Sequence, residues 1–503
     1  MSSKGIVYLV GAGPGDPGLI TVKGLACLEK AEVVVCDRLV NERLLEHVPS
    51  HCEIIDAGKT PQKHPVPQGE INALLVDRAR AGKVVVRLKG GDPFLFGRGG
   101  EEAEALAEAG ISFEIVPGVT SAIAVPAYAG IPVTHRDLTS TFAVVTGHED
   151  PTKDGSDIDW AKLATGVGTL VFLMGIGNLP AIVARLVEHG RDPQTPVAVI
   201  RWGTEPRQET VTGTLADIAQ RVREAGLQPP AVTVVGEVVR LRNKLRWFDT
   251  RPLFGKRVLV TRARPQASAL SQRLQELGAE PVEFPTIAIA PPSDWSNLDQ
   301  ALDKLATYDW VIFTSANGVE AVVERLRALG SDLRLLGGPH VAAIGPATAQ
   351  ALQGQGVRVD FVPSVYVAEE IAAGIGDVRG QRVLLPRADK ARPALAQGLR
   401  QKGALVDEVV AYRTTAASSG DLQAILGNGK IDIVTFTSSS TVKNLATALG
   451  GRPQELGQAL SGMLVACIGP VTASTAQELG IRVDVVAREH TIQGLVDAIV
   501  AAV

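Results

Sequence analysis

The chain has 503 residues, too many for one hydrophobic core, and its length implies about three domains. With 45% hydrophobic and 21% charged residues and no low-complexity tract, it is a folded globular protein, not a disordered or fibrous one. A net charge of −4 excludes recruitment of nucleic acid by a global basic field, so an acidic ligand has to be met by local groups.

The opening residues MSSKG lead straight into an apolar run without the core of a signal peptide. No apolar stretch approaches the roughly 18 residues of a membrane span, so a cytoplasmic protein without membrane contact is expected. Cys27, Cys36, Cys52 and Cys467 stand at no metal-ligand spacing, which implies reduced thiols and no metal. Strands are predicted near 6–10, 32–36, 84–88 and 113–116, with helices over 21–30, 70–81 and 100–109. Further apolar runs follow at 142–146, 169–174, 196–200 and 231–239. This alternation predicts an α/β protein with mainly parallel sheets. Residues 240–257, RLRNKLRWFDTRPLFGKR, break the pattern with scattered charge, aromatics and a proline, and a new strand–helix unit starts at Val258. The expected organisation is a first domain over 1–247, a linker over 248–256 and a second domain over 257–503.

The second domain repeats itself. KRVLVTRARPQASALSQRLQELGA (256–279) is echoed by QRVLLPRADKARPALAQGLRQKGA (381–404). Likewise DWVIFTSANGVEAVVERL (309–326) is echoed at 432–449, and VAAIGPATAQALQGQGVRVDFVPS (341–364) at 465–488. A period of roughly 125 is too long for a solenoid and predicts two similar α/β lobes, about 257–380 and 381–503, with a cleft between them.

In each repeat the strands end in Ser/Thr turns that open a helix: Thr314 and Ser315, Gly345 in IGPAT, Ser438 and Ser439, Gly469 in IGPVT. Helix N-termini attract anions, and ligands of open sheets sit at the carboxyl ends of strands; plain helix capping is the competing explanation for any one such turn. Arg262, Arg264, Arg387 and Lys390 add positive charge at equivalent strand ends, so the ligand implied is an elongated polyanion. The ordered set TSANGVEA, IGPATA, LPRAD, AYRT, FTSSSTVKN and CIGPVTA resembles uroporphyrinogen-III synthase over about 257–503. The resemblance implies closure of hydroxymethylbilane, a substrate rich in carboxylates, to uroporphyrinogen III with inversion of the last ring. It also implies a chain that crosses between lobes more than once. Tyr412 in AYRT matches the tyrosine suggested to help the hydroxyl leave; a strand-end aromatic packed under the cleft is the alternative.

At the start of the chain VYLVGAGPGDPGLIT carries Gly13, Gly15 and Gly18 at the G-x-G-x-x-G spacing, and Asp37 follows a second apolar run. That is the outline of a dinucleotide site, with glycines under a pyrophosphate and an acid on a ribose. Pro14 and Pro17 have no N–H to offer a phosphate, and Pro14 is expected to push Gly13 toward extended backbone. The loop suits the wall of a pocket better than a phosphate cradle.

Two more glycine turns, RLKGGDPFLFGRGGEEAEAL (87–106) and PGVTSAIAVPAYAGIPVTHR (117–136), complete a set that resembles the tetrapyrrole methylases, most closely uroporphyrinogen-III C-methyltransferase. The pieces VVVCDRLV, DAGK, VTGH, TLVFLMG and PAVTVVGEVV extend the resemblance over about 4–245. It implies two α/β lobes with S-adenosylmethionine (SAM) bound between them, no metal, and a homodimer through this half. The cofactor residues it implies are Pro14, Gly90, Gly91, Asp92, Leu95, Thr120, Ser121, Met174, Gly203 and Ala231; Met174 competes with a reading as strand core. Asp37 matches the family's proposed proton acceptor and Lys59 its proposed donor, against readings as a turn acid and a solvated charge. His135 and Arg136 are expected partners of substrate carboxylates, and the proline-rich loop after Lys59 is expected to cover the tetrapyrrole.

Together the halves predict consecutive steps, synthesis of uroporphyrinogen III and its double methylation to precorrin-2, with siroheme or cobalamin completed by other proteins. Two alternatives stay open. One is an NAD-dependent oxidoreductase fused to a polyanion-binding module; the other is a methylase whose synthase half is inactive.

Overall fold

A computed structural model describes residues 5–58, 66–148, 157–261, 264–284, 287–363, 368–391, 393–416, 422, 425, 430–449 and 453–503. The chain forms two compact units, one running to Val258 and taking in Gln272–Pro281, the other comprising Leu259–Ser271 and Val282–Ala502. No helix among the described residues is long and apolar enough to cross a membrane.

The first unit holds two five-stranded sheets. Strands β1 (Ile6–Gly11), β2 (Val33–Cys36), β3 (Glu53–Asp56), β4 (Val84–Lys89) and β5 (Ser112–Val116) pair in the order β3-β2-β4-β1-β5, all parallel. The central strands are valine-rich and buried on both faces, as expected where helices cover a parallel sheet. The helices Val22–Leu28, Gln68–Arg80 and Gly99–Glu108 match the predicted ones.

The second sheet is β6 (Phe142–Thr146), β7 (Thr169–Leu173), β8 (Pro196–Arg201), β9 (Glu209–Thr214) and β10 (Ala231–Val235), in the order β6-β7-β10-β8-β9. Only β6 and β7 run parallel; β10 is antiparallel to both neighbours and β9 to β8. The expectation of mainly parallel sheets therefore fails here. Strands β3 and β9, absent from the sequence reading, are edge strands with mostly half-exposed or exposed residues, so neither has a strong apolar signature.

Residues 248–256 are not a loose linker. Phe248 is 4% exposed and Leu253 fully buried. The Phe248 ring meets Tyr128 at 4.8 Å and Phe254 at 5.5 Å, and Trp247 Nε1 donates to the Ala127 carbonyl at 3.0 Å. The segment is built onto the helix Ser121–Tyr128 of the first unit by its aromatic rings, with Asp249 paired to Arg242 and Arg251 lying over the Trp247 and Phe248 rings.

The second unit also has two sheets. One contains β11 (Arg257–Val260), β12 (Glu280–Glu283), β18 (Ile433–Phe436), β19 (Leu464–Cys467) and β20 (Val485–Val486), ordered β12-β11-β18-β19-β20. The other contains β13 (Ile287–Ala290), β14 (Trp310–Phe313), β15 (His340–Ala343), β16 (Arg382–Ala388) and β17 (Leu405–Ala416), ordered β13-β17-β16-β14-β15. The repeats are real, but they are not the lobes. Strand β11 of the first repeat pairs with β18 of the second, and β16 of the second pairs with β14 of the first. Each sheet thus mixes the repeats, β11 and β12 with β18, β19 and β20 in one, and β13, β14 and β15 with β16 and β17 in the other, which corrects a division at 380. Equivalent positions keep equivalent bonds. Asp360 Oδ2 accepts from Val341 N at 2.9 Å, and Asp484 Oδ2 accepts from Val465 N at 2.9 Å.

Candidate active sites

Three loops leave the carboxyl ends of β1, β4 and β5, and in the first unit they lock together through glycine. Gly13 N donates to Gly91 O at 3.2 Å and Gly91 N to Gly13 O at 2.7 Å. Asp92 joins the third loop by accepting from Gly118 N at 2.9 Å, while its other oxygen accepts from Phe94 N. A Cβ on Gly118 would lie 2.2 Å from Gly91 O, and one on Gly11 2.5 Å from Gly118 Cα, so side chains are excluded. Gly13 has φ +80 and Gly91 φ +66, conformations open to glycine at no steric cost. The predicted extended geometry of Gly13 is therefore wrong: glycine freedom outweighs the following proline.

Apart from Gly15, the loop at 12–20 spends its N–H groups on the protein itself. Ala12 N donates to Lys89 O at 2.7 Å, Asp16 N to Thr204 Oγ1 at 3.0 Å and Gly18 N to Asp16 Oδ1 at 2.8 Å. Leu19 and Ile20 donate to Asp16 and Pro17 carbonyls, and the α-helix starts only at Val22, capped by Thr21.

The second sheet brings its own strand ends to this loop. Gly203 follows β8, and a Cβ there would lie 2.3 Å from the Val125 side chain of helix Ser121–Tyr128. Asp16 Oδ2 accepts from Tyr128 Oη at 2.7 Å; burial first, then that carboxylate, raises the Tyr128 phenol well above its ordinary range. Thr120 caps the same helix, and Ser121 is its first residue. Met174, just past β7, is 54% exposed with φ +57, so it is not strand core. Ala231 begins β10 opposite Arg201, on the edge that carries Met174 and Gly203. Leu95 packs against the core beneath, and Pro14 and Gly90 are half-buried.

Sequence reasoning missed a backbone signal here. Among the described residues, the non-glycine residues with positive φ are Phe96, Arg98, Met174, Trp202 and Thr204, all in turns beyond β4, β7 and β8. Strain of this kind gathers at functional clefts, and no residue type announces it in advance.

Asp37 leaves the end of β2, and two cations of β4 hold it. Its Oδ1 accepts a short bond from Arg87, and Lys89 Nζ lies 3.8 Å from Oδ2. Behind them Glu102 is completely buried, accepting from Arg87 Nε at 3.0 Å, Lys89 Nζ at 2.9 Å and Gln68 Nε2 at 3.1 Å. Burial works against the Arg87 cation, yet Asp37 and Glu102 raise it above its ordinary value. Burial and then Arg87 pull Lys89 below its ordinary value. The clue available in the sequence was two charges inside the apolar run VVVRLK, since buried Arg and Lys are rare unless paired.

Other expected residues fare differently. Lys59 and Arg262 lie outside the described residues, as does the side chain of Arg264. His135 Nδ1 accepts from Asp137 N at 3.3 Å and stabilises a turn, while Arg136 is exposed.

In the second unit Ser315 caps the helix Ala316–Ala328, accepting from Gly318 N at 3.1 Å, and its Oγ is 2.9 Å from Tyr412 Oη. Tyr412 is 8% exposed, so packing and a polar contact coexist in one side chain. Ser438 caps Ser439–Ala448 in a capping box, and Ser439 Oγ accepts from Thr475 at 2.8 Å. Gly345 and Gly469 are buried N-caps, each followed by proline, and Thr314 precedes Ser315 at the end of β14. Arg387 does not reach out as a substrate ligand. It is 7% exposed and spent on Glu408 at 2.5 Å, an ion pair between β16 and β17 that Arg400 also joins; Lys390 is exposed.

Two lobes with interlocked glycine turns, followed by a swapped pair of α/β lobes edged with Ser/Thr turns, define a two-module enzyme. The family of Tetrapyrrole (Corrin/Porphyrin) Methylases matches residues 6–219, and that of uroporphyrinogen-III synthase HemD matches 268–497. A porphyrin biosynthesis protein HemD of Ruminiclostridium josui is 39% identical over 98% of this chain and 97% of its own length. An S-adenosyl-L-methionine-dependent uroporphyrinogen III methyltransferase of Methanosarcina barkeri is 54% identical over 48% of this chain and 94% of its own. The crystal structure of a Thermus thermophilus uroporphyrin-III C-methyl transferase with S-adenyl homocysteine shares 43% identity, with a TM-score of 0.41, over 47% of this chain and 99% of that one. The chain belongs to the family that fuses a tetrapyrrole methylase to a uroporphyrinogen-III synthase.

Proposed function

We propose that the second unit closes hydroxymethylbilane to uroporphyrinogen III and that the first unit methylates this product twice with SAM, giving precorrin-2. The observation that carries the choice of cofactor is the internal use of backbone donors at 12–20. With those N–H groups committed and two prolines in the turn, the loop keeps only the Gly15 N–H for a ligand, too little to cradle a pyrophosphate. The glycine spacing that suggests NAD is instead what lets three loops approach, and the NAD-dependent alternative falls with it.

SAM supplies an electrophilic methyl group to an electron-rich pyrrole carbon. Gly90 fits a ligand's close approach, since a Cβ there would meet nothing nearer than Leu39 Cβ at 3.6 Å. Pro14, Gly91, Asp92, Leu95, Thr120, Ser121, Met174, Gly203 and Ala231 would line the cofactor's place between the two sheets. Asp37, one-third exposed beside Arg87 and Lys89, accepts the proton that leaves the methylated ring. Lys59, as proton donor, and His135 and Arg136, as carboxylate partners, belong to the same reading.

In the second unit Tyr412 donates a proton to the departing hydroxyl, which leaves as water, while Ser315 holds the phenol in place. The turns at Thr314, Ser315, Gly345, Ser438, Ser439 and Gly469 receive substrate carboxylates. Because positioning does most of the work, Tyr412→Phe is expected to slow ring closure about tenfold, below the ~10²-fold or more typical of an essential general acid. Chromatography of the oxidised isomers checks this; loss of the type III isomer altogether would give Tyr412 a larger part. A homodimer through the first unit and a cytoplasmic location complete the proposal.

The decisive experiment supplies hydroxymethylbilane and SAM together to the full chain and identifies the tetrapyrrole formed. Precorrin-2 is expected. Uroporphyrinogen I alone would mean an inactive synthase half, and unmethylated uroporphyrinogen III would mean an inactive first unit.

A further inference from the structure

The charged cluster behind Asp37 is larger than a single acceptor requires. Arg87 and Lys89 project from the same face of β4, two residues apart, and both are nearly fully buried. Glu102, from the helix Gly99–Glu108, bonds both cations and also Gln68, the first residue of helix Gln68–Arg80. The cluster carries two positive and two negative groups, and Asp37, 33% exposed, has the most open side chain of the four.

We infer that Lys89 is a positioning residue for methylation: its ammonium, 3.8 Å from Asp37 Oδ2, holds that carboxylate in orientation, with Glu102 as the buried counter-anion that fixes Lys89. The inference rests on Asp37 being the proton acceptor. Arg87 alone would satisfy Asp37 Oδ1, and its guanidinium is tied to Glu102 and to the Val35 carbonyl. Lys89 is the cation near the second oxygen, Oδ2. Among the described residues, the other charged groups near the cluster are Asp56, whose Oδ1 accepts from Gly58 N at the end of β3, Arg38, next in the chain, and the Arg98–Glu101 pair, which acts electrostatically on Glu102 and Lys89. The Cys36 thiol is pushed up to about 11, by burial and then by Asp56, and stays protonated.

The chemistry is an ordinary proton transfer. Methyl transfer leaves the ring cationic and its methylated carbon quaternary. Asp37 therefore takes a proton from elsewhere on the macrocycle, whose bonding pair becomes a new double bond and cancels the charge, while Lys89 holds the carboxylate in place. Removing the ammonium takes one positive charge from beside Oδ2, so the acid limb of methylation is expected to move to higher pH.

The test is the pH–rate profile of the first methylation in single turnover, on the full chain with uroporphyrinogen III and SAM. Lys89→Met is expected to move the acid limb upward by about one pH unit or more, the effect of one neighbouring charge. The double variant Lys89→Met/Glu102→Gln keeps the cluster neutral, protects the fold and, because an anion is lost with the cation, is expected to show a smaller move in the same direction. Binding of S-adenosylhomocysteine, followed by calorimetry, is expected to persist in both. A rate lowered equally at every pH with the limb in place would overturn the inference and leave Lys89 a structural residue. Wild-type methylation by Asp37→Asn would instead overturn the proton-acceptor reading beneath it.

Discussion

Gly118→Ala is expected to impair methylation strongly while ring closure continues. The added methyl group would sit 2.2 Å from Gly91 O and 2.7 Å from Gly11 Cα, and both neighbours are backbone held by strand and bridge hydrogen bonds. No rotamer relieves such a clash. The three loops have to part, at a cost of about 1–3 kcal/mol or more by analogy with overpacked cores. If the strain falls on the cofactor's place, affinity for S-adenosylhomocysteine drops by about 10–100-fold, by the usual conversion of free energy to affinity. Calorimetric titration measures that loss directly. Gly69→Ala is the control, since a Cβ there meets nothing within 4 Å and the residue lies in a helix. Unchanged cofactor affinity in Gly118→Ala would mean that the loop junction is not part of the site.

The second large effect is on chemistry. Asp37→Ala is expected to slow methylation by about 10²–10⁴-fold, the range for removal of a positioned acid or base. Ring closure by the second unit is expected to be unaffected. The substitution also takes a partner from Arg87 and Lys89, which leaves two buried cations facing Glu102 alone, so the thermal midpoint should fall. Asp37→Asn keeps an acceptor for Arg87 and separates the two consequences. A slow but stable Asn variant supports Asp37 as proton acceptor, whereas loss of both activities in Asp37→Ala would assign it to folding.

Much of this site was legible because glycine and proline carry backbone geometry in their identity. The turns at Gly13, Gly91 and Gly118 could be read as turns, and Pro14 and Pro17 already argued against a phosphate cradle. What could not be read was how three turns from strands β1, β4 and β5 meet, since that follows from the strand order β4-β1-β5. Arg87 and Lys89 stood in plain view inside an apolar run, yet their role required Glu102 from a helix thirteen residues beyond Lys89. In the second unit the repeats were evident in TSAN and TSSS, but similarity between segments does not reveal which sheet each joins. Arg387 shows the limit most clearly: a strand-end arginine looks free in sequence, and only the partner strand supplies Glu408.

The crossed repeats of the second unit bear on how the chain matures. The sheet of β13 to β17 is assembled wholly from residues 287–416, one uninterrupted stretch. The other sheet begins with β11 and β12 and then waits for β18, some 150 residues later in synthesis. On the ribosome the inner lobe can close while the outer one still holds two orphan strands. A nascent chain arrested near residue 420 would therefore present one finished lobe beside an open sheet edge, the species a chaperone would meet.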